Sequence, residues 1–379
     1  MKGALPSMKN TLGNAVSVTL FGESHGAAIG SVIDGLAPGL VVDEEFIRHQ
    51  LSLRRPSGKI STARQEQDPY QILSGVFNGR TTGTPVCIVI PNEDTKSGDY
   101  TTSIARPGHA DYTAQCKYHG AQDGRGGGHF SGRITAALVA AGALVIPTLR
   151  TKGIEIGTHI ARCAGVEDAT FNMTQPYQTE ALREQIRLLN GLPFAVLDKQ
   201  SGERMTDAID AARLEGDSVG GVLETAVVGL PCGLGEPWFD SMESMLSHAL
   251  FSIPAVKGVE FGDGFAMSDV KGSAANDSLR IINGEIVTET NHNGGINGGI
   301  TNGMPVIFRC AVKPTPSIGK TQATVDFVKN EEVDYPGKGR HDPCIVHRAR
   351  VVVDSVCALV LADLLTQRYG TEGFWNVES

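Results

Sequence analysis

RPGHADYTAQCKYHGAQDGRGGGHFSGRIT, residues 106–135, carries glycine-rich, cation-bearing turns straight into an apolar run, and its reading sets the fold. The run that follows, Ile134 to Leu149, reads as a helix with Ser131 placed to cap it. Arg106, His109, Arg125, His129 and Arg133 crowd into the turns ahead of that helix. Glycines let backbone N–H groups approach a ligand closely, and a helix N-terminus carries roughly half a positive charge. The combination suits a bound anion.

Working outward, the pattern recurs. A second basic, histidine-bearing turn at 338–348 leads into a second helix, Val351 to Leu365, apolar on most of its circumference and so buried on several sides. Gly35-Leu36-Ala37-Pro38-Gly39-Leu40 precedes one helix, and Gly229-Leu230-Pro231-Cys232-Gly233-Leu234 precedes another. Thr82-Gly83-Thr84-Pro85-Val86 and Asn302-Gly303-Met304-Pro305-Val306 each open a strand. These echoes predict a duplicated unit of strands and helices whose two basic turns line one shared cleft. Strands are expected at 14–21, 27–34, 84–90, 194–197, 219–228, 259–266 and 305–312. Helices are expected at 43–54, 179–190, 203–215 and 241–252, with Asp43 capping the first.

A chain of 379 residues can bury a large core. Its net charge of −9 argues against a generic nucleic-acid or membrane surface, so the cations of 106–133 are a local concentration suited to a small polyanion. Seven dispersed cysteines without a CxxC pair fit reduced thiols in a cytoplasmic protein. Cys116 and His119 have ligand-like spacing, but no second pair accompanies them, and no metal is assigned. The N-terminal residues lack the apolar core of a signal peptide, and no apolar run of spanning length is free of polar interruption.

Gly22-Glu23-Ser24-His25-Gly26 matches the G-x-S-x-G nucleophile elbow formally, but that elbow needs a helix after the turn, and Ala27 to Asp34 reads as a strand. A serine hydrolase is therefore the weaker reading. His25 and His109 are proton-transfer candidates, with Asp111 placed to orient the second ring. In Lys338-Gly339-Arg340-His341-Asp342, a carboxylate held beside cations stays ionised and can accept a proton. Arg54, Arg55, Lys59, Arg64 and Lys313 are further anion-facing candidates.

Taken in order, GESHG, RPGHAD, GGG followed by SGRxT, GVEFGDGF, KPT and GRHDPC resemble chorismate synthase from about Gly13 to Leu365. The resemblance implies an α+β fold, a β-α-β sandwich with helices between antiparallel sheets and internal pseudo-twofold duplication. It implies a single domain over 1–379, with repeats at about 14–215 and 216–366, assembled as a homotetramer. The implied reaction is a 1,4-anti elimination of phosphate from 5-enolpyruvylshikimate 3-phosphate, giving chorismate, the last step of the shikimate pathway, with reduced FMN required. By resemblance His25 donates a proton toward the departing phosphate and His109 sits by the flavin. Asp342 takes part in removing the C6 proton, directly or through flavin N5, with Ser24 near that relay. Arg54, Lys59, Arg133 and Arg340 match substrate- or flavin-facing positions. FMN contacts map onto His129, Phe130, Ser131, Pro254, Ala255, Gly298, Lys313, Pro314, Thr315, Pro316, Ser317 and Arg340.

The chain departs from the family's usual pattern in places. The usual Arg-Ser-Ser-Ala-Arg-Glu-Thr is here His129-Phe130-Ser131-Gly132-Arg133-Ile134-Thr135. An Asn common near Pro254 is missing, and Lys59 stands in a shortened loop where Arg is common. No insertion large enough for a flavin reductase is present, so reduced FMN is expected from a separate reductase, with NADPH involved only there. A flavin-binding protein without lyase activity is the third reading.

Overall fold

The computed structural model describes residues 9–56, 58, 60–61, 67–93, 103–171, 173, 175–337 and 341–375, so Lys59, Arg64, Lys338 and Arg340 lie outside the described residues. The first part of the chain forms β1 (Thr11–Leu12), β2 (Ser17–Gly22), β3 (Ala28–Asp34), α1 (Glu44–Arg54) and β4 (Gln71–Ser74). A small hairpin of β5 (Val76–Phe77) and β6 (Arg80–Thr81) follows, then β7 (Val86–Pro91), α2 (Asp111–Tyr118) and α3 (Thr135–Thr151). The strands make a five-stranded sheet in the order β1-β2-β3-β7-β4, antiparallel throughout, with Val18 opposite Ile33 and Gly30 opposite Val89.

The second part begins with β8 (Glu155–Cys163), β9 (Val166–Glu167), α4 (Glu180–Asn190), α5 (Lys199–Leu214), β10 (Gly221–Val228), α6 (Met242–Leu250) and β11 (Val256–Phe261). A one-turn α7 (Gly272–Ala275) and the hairpins β12–β13 (Leu279–Ile282, Glu285–Thr288) and β14–β15 (Ile296–Asn297, Ile300–Thr301) come next. The chain finishes with β16 (Val306–Val312), the hairpin β17–β18 (Gln322–Asp326, Glu331–Tyr335), α8 (Val346–Tyr369) and α9 (Thr371–Trp375). Its sheet runs β9-β8-β10-β16-β11, again antiparallel, with Thr225 opposite both Thr158 and Phe308.

Helices fill the space between the sheets. One face of α3 meets β3 and β7, α8 covers β8 and β10, and the two helices pack on each other, with α1 and α6 alongside. They meet tightly at Gly142, where a Cβ would stand 2.5 Å from Ser355 Cα, so a larger residue would push the layers apart. By length and composition α3 could cross a membrane, yet 83% of its apolar window is buried inside the protein. One apolar cluster runs from Val16, just before β2, through both helices to Trp375.

Local chemistry sets the helix starts. Asp43 accepts from Phe46 N, Asp198 from Ser201 N and Ser241 from Ser244 N, each satisfying a donor left open at a helix N-terminus. Ser131 caps the short 3-10 turn Gly132–Ile134 that feeds α3. Three expectations are corrected. Residues 194–197 form no strand, since Phe194 to Leu197 is held singly, through Ala195 O to Ile160 N and Leu197 N to Asp168. Residues 262–266 are not strand either; β11 ends at Phe261 and Gly264–Asp269 is a 3-10 turn. Finally, α5 starts at Lys199, four residues before the expected Glu203.

Two corners are built alike. In one, Gly39 N donates to Thr81 O (2.7 Å), Thr81 N to Leu40 O (2.9 Å), Leu40 N to Thr81 Oγ1 (2.9 Å) and Thr81 Oγ1 to Ala37 O (2.6 Å). In the other, Gly233 N donates to Thr301 O (2.7 Å), Thr301 N to Leu234 O (2.9 Å), Leu234 N to Thr301 Oγ1 (2.8 Å) and Thr301 Oγ1 to Pro231 O (2.7 Å). Gly39 (φ 88°) and Gly233 (φ 99°) take the backbone conformation that the corner demands.

The second sheet also buries a charge cluster. His159 bonds Asp168 through Nδ1 (3.0 Å) and Glu224 through Nε2 (2.9 Å), with its ring edge-on to Phe171. Burial pulls the imidazole toward neutrality, but the two carboxylates outweigh it and its pKa is raised. A raised folded-state value gives stability that is fully present below the ordinary 6.5 and lost as pH rises through the folded value. His159→Asn is therefore expected to cost about 3–5 kcal/mol in urea unfolding at pH 6. The gap should narrow as the buffer is made alkaline; a gap unchanged across pH would show that the ring is not charged in the native state.

Candidate active site

Three groups of side chains converge where α3 and α8 begin. The first is the turn between β2 and β3. Ser24 is buried (1% exposed); its Oγ lies 3.2 Å from His25 Nδ1 and donates to Arg125 O (3.2 Å). The segment against it, Gly126–Gly128, has φ values of 58°, 90° and 53°, so three successive residues sit where only glycine is comfortable. A Cβ on Gly126 would fall 2.0 Å from His25 Cε1. Gly126→Ala is therefore expected to displace the His25 ring and lower turnover about a hundredfold, with the unfolding midpoint little changed. Turnover within threefold of wild type, by steady-state assay, would show that His25 needs no such cradle. The strand after the turn removes the nucleophile-elbow reading of Ser24.

The second group is a buried ion cluster. Asp68 Oδ2 accepts from Arg54 Nη2 (2.9 Å) at the end of α1, and Asp68 Oδ1 is paired with Arg133 Nη1 at the start of α3. Burial raises the Asp68 pKa, but Arg54 and Arg133 together outweigh it and hold the carboxyl below its ordinary value. Asn92 ties this cluster to the first group, with Nδ2 donating to Glu23 O and Gly26 O (2.9 Å each) and Oδ1 accepting from Arg133 Nε (3.1 Å). Arg348, in the first turn of α8, pairs with Asp342 Oδ2. Burial, with the Arg54 charge nearby, pushes Arg348 down to about 9, so Arg348 stays charged at neutral pH beside a like charge.

The third group docks RPGHAD onto the second half. Residues 103–105 run beside β17, with Ala105 N donating to Val325 O (3.1 Å). Lys313 Nζ donates to Gly108 O (2.7 Å), and the Gly108 φ of 71° admits the contact with Pro316. His109 Nε2 lies 2.7 Å from Ser317 Oγ. Asp111 does not orient that ring as expected; it forms a two-point pair with Arg106 (2.8 and 2.7 Å). Burial first, then Arg106, pushes His109 down to about 4, so the ring is neutral across the physiological range.

Ser218 and Val219 join the turns: Ser218 Oγ donates to Thr315 O (2.6 Å) and Val219 N to Pro343 O (2.9 Å). Ala255 O accepts from Lys313 N (2.9 Å), which adds Pro254 and Ala255 to the same wall. Gly298 sits in the β14–β15 turn. His129 Nδ1 donates to Gly22 O (2.7 Å), and Phe130 is exposed, its ring edge-on to Tyr118. Sequence reading missed Asp68, Asn92 and Arg348. One signal for Arg348 existed, because a cation in the first turn of a helix opposes the helix dipole and needs another reason to be there.

Buried polar atoms without a hydrogen-bond partner concentrate here among the described residues: Arg54 Nε, Arg348 Nε, Thr315 Oγ1, His341 Nδ1 and Asp342 Oδ1. Native interiors leave few such atoms, so unfilled donors on these arginines fit an anionic ligand. A depression of about 520 Å³ near Phe46 and Arg150 lies at the opposite ends of α1 and α3; its Glu155 is already held by Arg183 and Arg187.

The family profile described as chorismate synthase matches residues 16–366. A chorismate synthase of Aeropyrum pernix is 47% identical over 362 residues, covering 95% of this chain and 93% of the relative. That of Thermococcus gammatolerans is 45% identical over 369 residues, covering 95% and 99%. A crystal structure of a chorismate synthase superposes with a TM-score of 0.74 at 28% identity, covering 96% of each chain.

Proposed function

The chain belongs to the chorismate synthase family, and we propose on that basis that the three converging groups form its active site. The activity is a carbon–oxygen lyase reaction, the 1,4-anti elimination of phosphate from 5-enolpyruvylshikimate 3-phosphate to chorismate on the route to the aromatic amino acids. The observation that carries the site assignment is geometric: the Nε donors of Arg54 and Arg348 are buried and unfilled, and Arg348 is paired with Asp342. A phosphate or carboxylate placed there satisfies both donors at once.

The family uses reduced flavin, and the residues present fit it: neutral His109, the Lys313 to Ser317 segment and the unfilled Thr315 Oγ1 offer contacts to it. When bound, reduced flavin supplies transient electron donation toward the substrate. The protein's own part is charge and proton management. Asp342 has one oxygen anchored by Arg348 and the other, Oδ1, open, which suits it to take up the C6 proton. Ser24 gives its one proton to Arg125 O and so accepts from His25 Nδ1. With Nδ1–H directed to Ser24, His25 can donate from Nε2 toward the departing phosphate in its doubly protonated, imidazolium form. Arg54, Arg133 and the N-termini of α3 and α8 stabilise the negative charge. Lys59 and Arg340 are assigned to substrate by the family resemblance alone. His129, Phe130 and Gly298 are assigned to flavin by the family resemblance.

The alike corners support an internal duplication in which β2, β3, β7 and α3 correspond to β8, β10, β16 and α8, a reading in which the second repeat would begin near residue 152. The shared apolar cluster supports a single domain. Exposed Leu279, Ile281 and Ile286 on β12–β13, with Trp238, Phe239 and Phe77, support a homotetramer. A cytoplasmic setting and reduced FMN from a separate reductase complete the proposal.

Anaerobic assay with reduced FMN and substrate tests it: phosphate release is expected. Flavin binding without phosphate release would favour the non-catalytic reading, and labelling of Ser24 by a fluorophosphonate the hydrolase.

A further inference from the structure

Cys163, at the end of β8, and Cys344, two residues past Asp342, are fully buried with their sulfurs 3.6 Å apart, although 181 residues separate them in the chain. His347 lies against Cys344, and its Nε2 is 3.0 Å from Ser61 Oγ. None of these groups has a part in the elimination. We propose that Cys163 and Cys344 are a dithiol modification site that closes to a disulfide under peroxide and thereby switches the lyase off.

The geometry makes closure short and its consequence specific. A disulfide holds its sulfurs at about 2.05 Å, so about 1.5 Å must be closed. Cys163 is fixed on both sides by the sheet, opposite Gly221 and Val166. The movement therefore falls on Cys344, and Pro343 transmits it to Asp342 with little slack. Cys344 donates its S–H to Cys163 and so favours the Cys163 thiolate, while burial and that same contact hold Cys344 protonated. Cys163 attacks the peroxide oxygen, the O–O bond breaks and hydroxide leaves, giving the sulfenic acid. Cys344 then attacks that sulfur, its proton passes through His347 to the departing hydroxyl, and the S–O bond breaks to release water as the S–S bond forms; the proton first lost by Cys163 turns the earlier hydroxide into the second water. In sum two thiols and one peroxide give one disulfide and two waters.

The activity arm rests on the Asp342 assignment, whereas the cross-link arm does not. Full-length enzyme is treated with hydrogen peroxide, quenched, alkylated and digested for mass spectrometry, with turnover measured in parallel. The expected result is one cross-linked peptide pair joining Cys163 and Cys344, two hydrogens lighter than the dithiol. Turnover should fall at least tenfold and be restored by dithiothreitol. Cys163→Ala, which touches no catalytic group, should start near wild-type turnover and lose less than twofold. Both thiols still alkylated after peroxide would overturn the proposal without any variant. So would a cross-link with undiminished turnover, or equal inactivation of Cys163→Ala. An untreated enzyme without turnover would instead count against the active-site reading.

Discussion

Asp342→Asn is expected to lower turnover about a thousandfold while substrate affinity stays within about threefold of wild type. Asparagine keeps the size and can still accept from Arg348, so the anchor survives. What it loses is the ability of the open oxygen to accept a proton, an interaction made only as the C–H bond breaks. Steady-state and single-turnover phosphate release, with substrate binding measured separately, check it. A raised KM at unchanged kcat would make Asp342 a binding group.

Asp68→Asn is the second large effect, and it acts on the fold as well as on catalysis. Asp68 joins Arg54 and Arg133, and its side chain is wholly buried. Removing the charge leaves two arginines facing each other in a site already strained by Arg348, which should cost about 3–5 kcal/mol. Its lowered folded-state pKa gives stability present above the ordinary 3.8 and lost as pH falls through the folded value. The gap between wild type and variant should therefore be full at pH 7 and shrink in acid, as read from denaturant midpoints. A cost below about 1 kcal/mol at pH 7 would show that the arginines find other partners.

Much of this frame is written locally. Asp43 and Ser241 announce helix starts because a side-chain oxygen before an amphipathic run does one job. The glycines of 126–128 announce a turn because their positive φ values exclude other residues. The hidden parts depend on partners distant in the chain. β8 was not legible because Thr158 and His159 break the apolar pattern, and they are satisfied by Asp354 in α8 and Glu224 in β10. Charged β17–β18 looks like loop, yet it forms a hairpin that residues 103–105 meet through an isolated bridge of Ile104 to Asp326.

The site divides in the same way. His25, His109 and Asp342 stand in motifs that can be read off one at a time. Asp68, Asn92 and Arg348 organise them, and their contacts span 14, 41 and 6 residues without a repeating signal. Asp111 was misassigned for that reason: proximity in sequence favoured His109, but the paired geometry of Arg106 won its carboxylate.

The central claim is that these groups hold reduced flavin and substrate together in one cleft. Its most direct test is the difference spectrum of reduced FMN on the anaerobic enzyme when 5-enolpyruvylshikimate 3-phosphate is added. The account predicts a substrate-dependent change in the flavin spectrum that decays as phosphate is released, and its loss in Asp68→Asn. A reduced flavin that binds but whose spectrum ignores the substrate, with no phosphate formed, would contradict it.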